Sequence, residues 1–263
     1  MTSRDVVDDR LLGALHLRLL NRAGFDHDPR AEHTAFQAGT LDALMAGGFD
    51  GDVTLGEVLE HGDLGLGTVE HLGGELVVID GTAFVVDDRG RVSEVAATTR
   101  TPFAVVSPFA PQRVLEVAEL AGLSDLREVI DLLVPAADEV VAICLDGEFS
   151  HLHLRSVTAQ RPPYVSLAEV TRHQSEWTLA AASGSVVGFR FPDQVAGIEV
   201  PGYHLHFLSH DRATGGHVLD LSVLHGTLRL DEGAELHAEV PAGVSLGRPG
   251  AADRAAIRAV EGG

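Results

Sequence analysis

The chain of 263 residues carries 19 basic and 39 acidic residues, a formal net charge of −20, and reading along it every basic residue counted is Arg. Without lysine there is no lysine Schiff base and no pyridoxal phosphate tethered through the chain, and −20 with no basic block argues against nucleic acid as a partner. A single cysteine, Cys144, excludes an internal disulfide framework and a multi-cysteine zinc module. An anionic small molecule would therefore have to be held by something local, either a metal or one placed Arg.

The first residues, MTSRDVVDDRLLGALHLRLLNR, have acids where a secretory signal has positive charge, and no run approaches the roughly 18 apolar residues of a membrane span. A cytoplasmic protein with no membrane partner is expected. Residues 9–22 read as a short amphipathic helix followed by a polar linker, which sets 1–30 apart. Thr54-Leu-Gly-Glu57 is a capping-box pattern whose helix should stop at His61-Gly62. GELVVIDGTAFVVDD places two alternating runs around Asp80-Gly81, a strong hairpin signal. Pro111 to Val134 carries helical spacing in two pieces, broken near Gly122-Leu-Ser124, and EVVAICLDGEF returns to strand character. AAASGS, 180–185, is the softest point of the second half. From Val186 onward VVGFRF, GYHLHFLS, HVLDLSVL, GTLRL and ELHAEV read as antiparallel strands. The expected fold is α/β in the broad sense (α+β): a mixed sheet with helices over 31–180, then a smaller antiparallel sheet over 181–263.

That second part carries the most specific chemistry. In a strand, residues i and i+2 share a face, so His204 and His206 project together. The segment Ser209 to Gly216, with its Asp, Arg and Gly pair, suits a chain reversal that would set His217 beside His206 across a hairpin. Three imidazoles on one face suit zinc, at about 2.0–2.1 Å per Zn–N bond, with one position left open, as catalytic sites are. Histidines on an ordinary sheet surface are the competing reading. The sequence contains its own control in His151-Leu-His153, which has the same spacing and no third histidine within a hairpin's length.

Three other features bear on a site. The glycines of HGDLGLGT (61–68) permit tight turns or close backbone approach, but their spacing is not a dinucleotide fingerprint. Glu75 shares a strand face with Val77 and Ile79; burying it there would be costly unless it is paired, and a solvated strand end is the simpler reading of these residues alone. Arg155 follows His151 and His153 at alternating positions. It is a candidate carboxylate clamp because of its planar fork and permanent charge, although an exposed strand Arg is again simpler.

The combination resembles the alpha-acetolactate decarboxylase family. The resembling segments are TLDALMAGGFDGDVTLGEVLEHGDLGLGTVEHLGGELVVIDG (40–81), TPFAVVSPF (101–109), LDGEFSHLHLRSVTAQRPPYVSLAEV (145–170) and GYHLHFLSHDRATGGHVLDL (202–221), in the family's order. The resemblance implies a carbon–carbon lyase that converts 2-acetolactate to acetoin and CO2 through a zinc-stabilised enediolate. It implies one Zn2+ per chain held by His204, His206 and His217, with Glu75, Arg155 and, from the C-terminal tail, Glu261 as catalytic residues. It also implies two α/β domains and a homodimer. The alternatives are a cupin-like metal-dependent isomerase or oxygenase, which also uses HxH on a strand, and a non-enzymatic metal-binding β protein. Cupins usually carry a Glu soon after HxH, where this chain has Phe207-Leu-Ser-His-Asp211.

Overall fold

The computed structural model describes residues 6–21 and 31–240. Strand follows strand with a few short helices between them. The first half supplies β1 (Val6–Leu12), β2 (Leu15–Asn21), β3 (Thr34–Ala38), β4 (Val53–Thr54), β5 (Leu64–Thr68), β6 (Glu75–Ile79), β7 (Thr82–Val86), β8 (Val92–Glu94), β9 (Arg100–Thr101), β10 (Phe103–Ser107) and β11 (Arg113–Leu120). The second half supplies β12 (Val140–Ser156), β13 (Ser175–Leu179), β14 (Ala182–Phe191), β15 (Gly202–Ser209), β16 (Gly215–Gly233) and β17 (Glu235–Val240). The helices are α1 (Leu41–Met45), α2 (Leu55–Leu59), α3 (Leu123–Leu133) and α4 (Leu167–Val170). Among the described residues no helix is long and apolar enough to cross a membrane.

Nine strands form one sheet in the order β1-β2-β17-β3-β10-β5-β6-β7-β8. It is mixed, because β17 runs parallel to both β2 and β3 while the other pairs are antiparallel. The six-stranded second sheet is antiparallel throughout. Within it β12 pairs with β14 and β16, β14 with β15, and β15 with β16, so these four strands close into a ring. The two sheets pack through one apolar layer in which Leu17, Leu66, Val77 and Leu236 of the first meet Cys144, Phe189 and Leu208 of the second. α2 covers the far face of the first sheet with Leu55 and Val58, and α3 fills the second with Leu126 and Ile130.

Several local expectations are met. α2 starts at a complete capping box between Thr54 and Glu57 and ends at Leu59. The β6–β7 hairpin turns through Asp80 and Gly81 at φ 51° and 72°, the left-handed pair that a two-residue hairpin loop requires. Two expectations are corrected. Residues 9–21 are not helical: β1 and β2 form a hairpin turning at Gly13, φ 68°, and Arg22 lies outside the described residues. Leu15, Leu17 and Leu19 are all fully buried, so the period of two, which also allows pairing with β17, prevails over the helical spacing. Of the two helical pieces expected between Pro111 and Val134, only the second is a helix. The first is β11, drawn into pairing along Val223–Leu230 because β16 is 19 residues long and offers an edge there. The soft point at 180–185 contains the turn between β13 and β14. Sheet membership crosses it, since β12 pairs with β14 and β16 beyond it, and β17 returns to the middle of the first sheet.

Candidate metal centre and active site

The alternation of β15 decides what faces the seam between the sheets. Leu205 and Phe207 point into the core of the second sheet, which leaves His204 and His206 on the side of the first. His217 lies directly across from His206 in the β15–β16 pair, as the hairpin reading expects. One potential ligand atom from each of His204, His206 and His217 lies within 4.8 Å of the others, and all three side chains are buried. The ring centroids are 5.1–5.3 Å apart. His151-Leu-His153 forms no such group; His153 instead pairs with Glu176 at 2.8 Å.

The environment of His206 shows what this group fits. Its Nδ1–H donates to the Leu76 carbonyl at 2.7 Å, which fixes the tautomer and leaves a lone pair on Nε2. Complete burial, reinforced by the neighbouring His204, holds its pKa well below the ordinary histidine value, so the ring is neutral. The buried Nε2 has no hydrogen-bond partner, and a carboxylate oxygen of Glu75 stands 3.5 Å away. Two acceptors with no proton between them are an unfavourable pair alone and a suitable one around a cation. The three imidazoles can therefore hold a metal ion.

Glu75 and Arg155 come to the same place from different sheets. Glu75 opens β6 and is buried, not solvated, and Arg155 near the end of β12 is buried as well. Arg155 Nη1 donates to Glu75 Oε1 at 3.3 Å, while Arg155 Nε is buried without a hydrogen-bond partner. Arg155 also lies opposite His217 in the β12–β16 register. A narrow cleft is lined by Glu75, Arg155, His204 and His217. Its other walls include Leu41, Leu72, Phe103, Val157 and Leu167. Glu261 lies outside the described residues.

Two residues at this place were not singled out in the sequence. Thr68 lines the cleft, and its hydroxyl donates to the Gly74 carbonyl at 2.8 Å. Its signal was the strand-terminal position in HGDLGLGT, where Gly67 is obligatory: a Cβ there would meet the Phe103 carbonyl oxygen at 2.3 Å. Glu199 is fully buried beside His204. Its signal was a lone charge between Ile198 and Val200, both of which are core residues.

The alpha-acetolactate decarboxylase family model matches residues 35–246. The alpha-acetolactate decarboxylase of Methylococcus capsulatus is 40% identical over 210 residues, covering 80% of this chain and 81% of the relative. That of Raoultella terrigena is 35% identical over 89% of this chain and 91% of the relative. The crystal structure of the alpha-acetolactate decarboxylase from Bacillus subtilis strain 168 superposes with a TM-score of 0.81 at 29% identity, over 88% of this chain and all of the other. A family match of this extent, on a fold that gathers three buried histidines beside a glutamate and an arginine, leads to one conclusion: the chain belongs to the alpha-acetolactate decarboxylase family.

Proposed function

We infer that this protein is a carboxy-lyase that converts 2-acetolactate to acetoin and CO2. The observation that carries the inference is the unpartnered lone pair of His206 facing Glu75, with the Arg155 guanidinium bound to the same carboxylate at the wall of an aliphatic cleft. The substrate, 2-hydroxy-2-methyl-3-oxobutanoate, has its carboxylate β to a ketone. Breaking the bond to CO2 moves an electron pair toward the carbonyl oxygen and leaves an enediolate, which one proton converts to acetoin. His204, His206 and His217 would hold the metal, one Zn2+ per chain, which when bound supplies Lewis-acid stabilisation of negative charge on the substrate oxygens.

Arg155 orients the substrate carboxylate: its buried Nε and permanent charge offer what an anion needs in a protein of net charge −20. Glu75, and Glu261 from the tail, are the carboxylates assigned to moving the proton that completes acetoin. Leu41, Leu72 and Val157 receive the methyl groups and keep water from the reacting carbon. The family resemblance further supports a homodimer acting in the cytoplasm on a small-molecule substrate. Purified, metal-replete protein given 2-acetolactate is expected to release acetoin and CO2 in equal amounts. Consumption of acetolactate no faster than in a protein-free control would sink the assignment.

A further inference from the structure

We propose that Glu199 is a positioning residue for the metal centre, acting through His204 and never touching the substrate. This rests on the metal reading above and deepens it. Glu199 lies on the segment that enters β15, and its side chain is fully buried. That segment is fixed from both sides. The α1 N-terminus donates to it through Leu41 N to Ile198 O at 2.9 Å and Asp42 N to Gly197 O at 2.8 Å. Gln37 Nε2 donates to the Ile198 carbonyl at 2.6 Å. Oε1 of Glu199 accepts from the Val200 N–H at 2.9 Å and stands 3.7 Å from Nδ1 of His204. It is thus held within about 1 Å of hydrogen-bonding range of one ring nitrogen of His204.

The reasoning is one of cost and use. A fully buried carboxylate is expensive to maintain, and a well-packed neutral side chain in its place is often as stable or more so. Its position beside a candidate ligand makes sense if it accepts a hydrogen bond from Nδ1–H, fixes the tautomer, and leaves Nε2 of His204 for the metal. His206 obtains the same service from the Leu76 carbonyl at 2.7 Å. Outer partners of ligating histidines typically change metal affinity by about 10–100-fold. A carboxylate, as the stronger acceptor, also makes the imidazole a better donor than an amide would.

The test uses the purified full-length chain as wild type, Glu199→Gln, Glu199→Leu and, as a control, His206→Ala. Zinc affinity is measured by competition with a chromophoric chelator, and thermal midpoints are taken for apo and zinc-loaded protein. Glu199→Gln is expected to weaken zinc binding by about 3–10-fold and Glu199→Leu by about 10–100-fold, while the apoprotein midpoint of the Gln variant stays level or rises. The Gln variant is nearly isosteric and carries the test should the Leu variant fail to fold. Zinc affinity of Glu199→Gln within twofold of wild type overturns the proposal. So does a fall in its apoprotein midpoint as large as that of the loaded form, since that is the mark of a purely structural residue. A wild-type chain that takes up no zinc, or a His206→Ala chain that binds as well as wild type, overturns the metal reading itself.

Discussion

At the scale of single residues the Glu75–Arg155 pair is the most exposed to test. Both side chains are buried and the pair bridges the two sheets, so removing the cation leaves a carboxylate in the seam without its guanidinium. Arg155→Ala is expected to lower the unfolding free energy by about 3 kcal/mol, measured by denaturant titration, as losing one member of a buried pair does. Arg155→Lys keeps the charge but loses the fork, and kcat/KM for acetolactate should fall by about 10–100-fold with a smaller stability loss. Equal activity of the Lys variant would show that only the charge matters. Cys144 makes a contrasting case. Burial raises the pKa of its thiol to about 11, and Arg229 Nη2 donates to its sulfur at 3.3 Å. Native protein should therefore react with a thiol reagent about a hundredfold more slowly than unfolded protein; comparable rates would contradict this burial. The histidine trio was legible from HxH and from a third histidine one hairpin's length on, although the chain reverses at residues 210–213 and Gly215 and Gly216 are already paired in β16. The burial of Glu75 and Arg155 was not, because each is enclosed by a strand of the other sheet, a relation that local sequence does not carry.

At the scale of elements, short-range chemistry predicts well and periodicity less well. The capping box of α2 follows from Thr54 and Glu57, whose carboxylate accepts from Thr54 N at 2.8 Å. Thr54→Ala is expected to cost about 1 kcal/mol by thermal or denaturant unfolding, and a change under a few tenths would show that α2 is held by its packing on Phe36 and Val106 alone. The Asp80-Gly81 turn was equally readable, since only a few residues accept two positive φ angles in succession. β1, β2 and β11 were misread because runs rich in Leu and Val satisfy a helical and an alternating pattern at once. What selects the strand is a distant partner: β17 for β2, β16 for β11. The soft point at 180–185 marks a real turn, but β12 on one side of it and β14 on the other are hydrogen-bonded along Val141–Phe149.

At the scale of the whole molecule, the site exists because two sheets meet. β6 of the first brings Glu75, and β12, β15 and β16 of the second bring Arg155 and the histidines, so neither sheet holds the constellation alone. Composition frames the problem that this site solves. A net charge of −20 repels an anionic substrate at long range, and the chain has no lysine with which to form an imine. Raising ionic strength from about 10 to 150 mM should therefore raise kcat/KM by about two- to fivefold through screening; a decrease would mean that local positive charge at the cleft already steers the encounter. On the proposed function, the three histidines hold the ion on which decarboxylation depends. The most direct measurement follows acetoin formation from 2-acetolactate as zinc is returned in steps to chelator-treated protein, with bound metal quantified at each step. Activity rising in proportion to occupancy and saturating at one ion per chain, with neither binding nor turnover in His206→Ala, is the predicted result. Full activity in the metal-free protein, or in a His206→Ala protein that still binds zinc, would contradict it.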